Sequence, residues 1–174
     1  MPGVPHPRHH RRVGDETILS ETEHAFLARA RQGVLATLAP SGRPRLVPVC
    51  FVLDHEDGRA DQPVLYSAID DKPKASSDPH RLGRVRDLVG APQASVLVAR
   101  WDEDWSRLGW VRVDGRGTIL EAHSRNHAEH RRVVDLLRAK YPQYASHRLE
   151  ERPVIRIAIE AARRLMPRIG PSTE

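Results

Sequence analysis

Two of the three lysines in this 174-residue chain, Lys72 and Lys74, stand one residue apart, while arginine supplies nearly all the other cations. They follow an apolar run, PVLYSAI, that stops at Asp70-Asp71, and they precede Ser76-Ser77-Asp78-Pro79. The order is that of a strand, two ammonium groups, two hydroxyls and a helix start with Asp78 as N-cap and Pro79 in the first turn. Free N–H groups and the dipole at a helix start favour negative charge. The stretch is therefore a candidate anion cradle, suited to gripping the phosphate of a cofactor. Rival constellations are weaker. His127 and His130 share a helical face beside His123, but no carboxylate or cysteine completes a ligand set, so no metal site is expected. Residues 54–58, DHEDG, lack the spacing and closing glutamate of a calcium loop. Cys50, alone in a strand, has the character of a small core residue.

The elements that must position this stretch follow from pattern. Ser20-Glu21-Thr22-Glu23 is a capping box opening a helix whose apolar face is Phe26, Leu27 and Ala30, with Gly33 expected to end it as its C′ residue. Strands are expected over 34–38 and 46–53 around the turn PSGRP, and over 63–69. A helix over 79–89 would turn Leu82, Val85, Leu88 and Val89 inward. Strands over 94–101 and 108–122 follow, the second bent at Asp114-Gly115 and Gly117. A helix over 126–140 and a strand over 153–160 complete the list. The fold class is mainly β with helices (α+β). Six strands joined partly by hairpins argue for a small split or closed antiparallel barrel, and the chain has no Gly-rich fingerprint of a doubly wound sheet. Residues 1–16 and 163–174 are expected to be tails around one domain, 17–162.

Hydrophobic residues make up 39% of the chain and mean hydropathy is −0.55, which fits a single soluble domain with a sizeable core. The pI near 10.0 comes from the ends. Residues 1–12 and 163–174 hold six arginines against Glu174 alone, so the middle balances 22 basic with 22 acidic residues. A basic stripe for duplex nucleic acid is not expected. Neither is a membrane span or a signal peptide. One cysteine excludes an intrachain disulfide and suits a reducing cytoplasm.

Three segments, GVLATLAPSGRPRLVPVCF (33–51), PVLYSAIDDKPK (63–74) and QASVLVARWDEDWSRLGWVRVDGRG (93–117), resemble the pyridoxamine-phosphate-oxidase-like superfamily of split β-barrels. Within it they are most similar to the actinobacterial deazaflavin branch that uses coenzyme F420. The resemblance implies a homodimer with the cofactor in a groove between barrels. It implies Val47-Pro48-Val49 beside the tricyclic ring, Tyr66 and Ser67 near the ring edge and first phosphate, and Lys72 and Lys74 on the phosphate. Trp105 and Trp110 would approach the ring from the partner subunit. Flavin-using oxidases of the superfamily carry a lysine where this chain has Val49-Cys50-Phe51, which favours coenzyme F420 over the alternative, FMN. The implied activity is hydride transfer between a deazaflavin and a small unsaturated or quinone-like substrate. An FMN-binding oxidoreductase and a non-enzymatic cofactor-storage protein are the alternatives, and no catalytic residue stands out.

Overall fold

A computed structural model describes residues 17–55, 61–70, 78–123 and 125–165. Lys72, Lys74, Ser76, Ser77, Ser124 and the tail residues 1–16 and 166–174 lie outside the described residues.

The capping box forms as its spacing requires. Ser20 Oγ accepts from the Glu23 N–H at 3.3 Å, and the Glu23 carboxylate accepts from the Ser20 N–H at 2.7 Å. Helix α1 (Glu21–Arg29) ends at Ala30, whose extended backbone carries the chain away. Gly33 is thus not its terminator. It opens strand β1 (Gly33–Leu38) instead, packed so closely that a Cβ there would lie 2.9 Å from Val96 Cγ1. A turn through Gly42, at φ +78°, leads into β2 (Pro44–Val49). The single strand expected over 46–53 is two, because the chain breaks at Cys50-Phe51 before β3 (Val52–His55). Next come β4 (Pro63–Ala68), α2 (Gly83–Gly90), β5 (Gln93–Arg100), β6 (Gly109–Leu120), α3 (His127–Lys140) and β7 (Val154–Leu165). No helix among the described residues is long and apolar enough to cross a membrane.

Among the described residues all pairings are antiparallel and the sheet has seven strands, in the order β2-β1-β5-β6-β7-β4-β3. β7 runs past the strand end expected at 160, because residues 161–165 still pair with β6, Leu165 opposite Trp110. Asp78 does cap, accepting from the His80 N–H at 2.9 Å, but what it caps is a 3-10 turn, Pro79–Arg81. α2 begins only at Gly83. Leu82, Val85 and Leu88 share its inner face, whereas Val89, one position on, turns away and is 75% exposed.

Leu35, Val49, Leu65, Val96, Val111 and Ile157 come from six different strands yet belong to one buried cluster, so the sheet curls around a shared interior. Burying each such side chain stabilises the fold by roughly 1.5–3 kcal/mol. Two glycines permit the curl. A Cβ at Gly115 would fall 2.1 Å from the Ala158 carbonyl oxygen, at the bulge where β6 and β7 slip register. One at Gly117 would strike Leu88 Cδ2 at 2.6 Å, where α2 lies on the sheet. A second core lies under α3, where Val133, Val134 and Leu137 meet Val52, Val64, Tyr66 and Val154.

The corner between β2 and β3 is held from outside the sheet. The Tyr141 hydroxyl accepts from the Phe51 N–H at 3.0 Å and donates to the Phe51 carbonyl at 2.8 Å, both buried. One side-chain hydroxyl thereby satisfies both backbone groups of a residue that has left the ladder. Lys140 Nζ lies 4.4 Å from the Phe51 ring centroid, and Arg31 Cζ 4.6 Å from that of Tyr141. Replacing Tyr141 with Phe would leave two buried backbone groups unpaired, and a loss of about 2–4 kcal/mol is expected. Urea unfolding against wild type checks this; a loss under about 0.5 kcal/mol would show that the hydroxyl does not hold the corner.

Candidate functional site

Among the described residues β2 has one strand neighbour, β1, and so presents a free sheet edge. Its side chains alternate. Arg45, Val47 and Val49 turn toward the core, and Pro44, Leu46 and Pro48 turn outward. Val49 is buried, Val47 half-buried, Pro48 exposed and Leu46 64% exposed. The free backbone edge and apolar side chains of β2 suit the hydrogen-bonding rim of a flat heteroaromatic ring, so the residues present fit such a group.

The edge is braced from α2. Arg45 Nε donates to Asp87 Oδ2 at 2.7 Å, and Thr37 Oγ1 donates to the same oxygen at 2.8 Å. Gly83 makes room, since a Cβ there would meet Arg45 Cζ at 2.5 Å. Burial works to raise the Asp87 pKa, but the bonds from Arg45 and Thr37 outweigh it and hold the carboxyl below its ordinary value.

At β4 the two predicted residues part company. The Tyr66 ring is buried in the core under α3. Its hydroxyl donates to Glu129 Oε1 at 2.6 Å, and Arg156 Nε donates to the same oxygen at 3.0 Å. Burial, then the bond to Glu129, pushes the Tyr66 phenol well above its ordinary pKa. Ser67 is equally buried but on the opposite face, the one that carries Leu65 and Ile69. Because β3 pairs with β4, with Val52 opposite Tyr66, the corner after Val49 lies at the end of the sheet where β4 exits toward residue 70. The structure thus brings the end of β2 and the exit of β4 together.

Trp105 and Trp110 lie elsewhere in the chain. Trp105 is 74% exposed on the 3-10 turn Trp105–Arg107, and Trp110 is half-buried on β6, three strands from β2 in the sheet. Within one chain they do not join Val47-Pro48-Val49. Among the histidines, His130 Nε2 is 2.7 Å from the Arg152 carbonyl oxygen, and His127 Nδ1 3.0 Å from that of Ala122. No group of three His, Cys, Asp or Glu placed to hold a metal occurs among the described residues.

Three participants escape a reading by motif: Tyr141, Asp87 and Arg84. Among the described residues Arg84 Nε is buried with no hydrogen-bond partner, and Asp70, just past the end of β4, is near enough to act on its charge. Burial lowers its pKa, and the charge of Asp70 partly offsets that. A buried guanidinium nitrogen with spare donor capacity near Asp70 is consistent with an anion held at the exit of β4.

The sequence profile of the family described as "Pyridoxamine 5′-phosphate oxidase" matches residues 19–166, nearly the whole described chain. The chain belongs to that family. A comparison with curated proteins finds no match. Among solved structures, a conserved hypothetical protein of Mycobacterium tuberculosis superposes with a TM-score of 0.62 at 21% identity, over 94% of this chain and 100% of its own. An F420 reductase superposes with a TM-score of 0.55 at 19% identity, over 83% and 98%. An FAD-binding protein of Mesorhizobium loti gives 0.54 at 23%, over 84% and 92%. At these identities the likeness is one of fold: the seven strands form the split barrel of the pyridoxamine-phosphate-oxidase family.

The Asp87 brace yields a pH-dependent prediction. Its folded pKa is depressed, so its contribution is present above the ordinary carboxylate value and is lost as pH falls through the folded one. Asp87→Asn is expected to cost roughly 1–3 kcal/mol at pH 7. The gap to wild type should shrink as pH drops below about 4. Urea midpoints between pH 3 and 7 test this; a pH-independent gap would show that the carboxylate charge is not what braces the edge.

Proposed function

We propose that this protein binds a flavin-type cofactor at the corner where β2 and β4 converge, and that the cofactor is a deazaflavin, coenzyme F420. The observation that supports it most is that convergence: an apolar free edge ends beside the exit of the strand that leads to Lys72 and Lys74. Val47, Pro48 and Val49 flank the ring. In this reading Ser67, Lys72, Lys74 and the spare donor of Arg84 hold the phosphate. Tyr66 serves by position, since its hydroxyl is taken by Glu129. Lysine suits the phosphate as a compact point charge.

When bound, the deazaflavin supplies a ring carbon that gives or takes hydride from an electron-poor double bond. The protein's part is to hold the anionic tail, exclude water along β2 and leave the outer ring face open to a small unsaturated or quinone-like substrate. Cys50 is neither long nor cationic, which supports the deazaflavin over FMN.

Dimerisation completes the reading. The outward residues Leu38, Leu46 and Leu97 are exposed large hydrophobics on three adjacent strands, with Trp110 on the fourth. A second copy on this face would cover them and bring its Trp105 and Trp110 toward the groove. Sedimentation at micromolar concentration should give a dimer; a monomer would remove the partner tryptophans from the site.

Titrating coenzyme F420 and FMN separately into the purified protein tests the cofactor, and failure of both at micromolar levels would overturn the proposal. Lys72→Ala with Lys74→Ala should weaken the phosphate-bearing cofactor about tenfold or more, with little effect on its phosphate-free ring analogue. Equal losses would show that the lysines do not grip the phosphate.

A further inference from the structure

We infer that Cys50 and Lys140 form a nucleophile–base pair that takes up a flat, uncharged conjugated enone as a covalent adduct. The pair lies at the same corner as the proposed cofactor groove, but the inference does not rest on a cofactor binding there. Cys50 is the only cysteine of the chain and sits half-buried in the break between β2 and β3. Tyr141 and Tyr144, from the end of α3 and the 3-10 turn Pro142–Ser146, both lie within electrostatic reach of its sulfur. Lys140, the last residue of α3, is the second member. Its Nζ is buried, yet among the described residues it has no hydrogen-bond partner. It lies 4.4 Å from the Phe51 ring centroid and 5.5 Å from that of Tyr141, and near enough to Cys50 for the two to interact.

A buried amine without an acceptor is costly to keep as an ammonium. Burial first, then the charge of Arg31, lowers the Lys140 pKa to about 8, whereas a thiolate at Cys50 would favour the ammonium. The amine is thus matched to accepting a proton near neutral pH, and Cys50 is the proton source beside it. Tyr144 adds a donor. Burial, then its bond to Cys50, pushes this phenol far above its ordinary pKa, so it keeps its proton and steadies a thiolate. The other charged groups facing the pair are Arg31, which donates to the Lys140 carbonyl oxygen, and Asp70 and Arg84 beside Tyr144. The step balances without a co-reactant. The Cys50 S–H proton passes to Lys140 Nζ as Sγ bonds the β-carbon and the C=C electron pair shifts toward the carbonyl oxygen. The ammonium, resting on the Phe51 and Tyr141 rings, then returns that proton to the α-carbon. Aromatic surroundings suit a flat, neutral electrophile, and with no second cysteine the thiol has no disulfide partner within the chain.

The test follows adduct formation by intact mass on the full chain, free of cofactor, with 2-cyclohexenone as probe and N-acetylcysteine as the reference thiol. At about pH 7 Cys50 should gain one probe at least about tenfold faster than the reference reacts, and Cys50→Ser should gain none. Lys140→Met should slow the addition about tenfold at that pH. The deficit should shrink as pH approaches about 10, where solvent ionises the thiol unaided. Lys140→Arg, which keeps the charge but accepts no proton, should be as slow as Lys140→Met. Should Lys140→Met fail to fold, Lys140→Arg alone decides. Addition to Cys50 no faster than to the reference thiol would overturn the inference. So would the wild-type rate in either lysine variant, or a deficit that stays constant across pH, which marks a structural role alone. Because no cofactor enters the assay, these outcomes are independent of whether a flavin or deazaflavin binds.

Discussion

The hydroxyl of Tyr141 holds the place on which the rest of the molecule turns. Where β2 ends, the chain must leave one side of the barrel and start the strand on the other, and Phe51 loses its ladder partners in doing so. A buried residue with unpaired N–H and C=O would be costly. Tyr141, delivered by the end of α3, meets both groups with one oxygen atom. The barrel is therefore split at that corner without an unsatisfied backbone. The free edge of β2, the exit of β4 and the candidate cofactor groove all follow from that split.

Around this corner the sheet divides its duties by face. The inner faces of six strands are spent on one core, and the glycines at 115 and 117 allow the close approaches that the curl demands. The outer face of β3, β4 and β7 is spent on α3, with Tyr66, Glu129 and Arg156 forming a half-buried polar link between strand and helix. The outer faces of β1, β2 and β5 carry leucines with no such cover within the chain. Asp87 ties the edge strand back to α2, so the edge is free on one side and fixed on the other. A rigid apolar edge of this kind needs no rearrangement to accept a flat ring.

Much of this was legible in the sequence because it rests on local chemistry. The capping box at Ser20 and Glu23, the cap at Asp78, the turn at Gly42 and the bend at Asp114-Gly115 are each set by a few neighbouring residues. What was not legible depends on partners far apart in the chain. Nothing within residues 46–53 announces a break at Cys50-Phe51, because the residue that stabilises it is 90 positions away. No local pattern marks Tyr141 or Asp87 as a long-range partner. Tyr66 fits a cofactor motif by position, yet its ring is turned under α3 by a core that no local pattern reveals. Gly33 was misplaced as a helix end because a glycine needed for close strand packing and one needed for a helix C-cap look the same in one sequence. Within the candidate site, the apolar strand was legible, but no motif marks the buried guanidinium nitrogen of Arg84.

The measurement that bears most directly on the account is hydrogen–deuterium exchange of the full chain with and without saturating coenzyme F420, repeated with FMN. A cofactor seated at the corner should slow exchange of amides in 46–51 and 67–70 while leaving α3 unchanged. Protection confined to other parts of the chain, or none with either cofactor, would contradict the proposal that β2 and β4 converge to form the cofactor site.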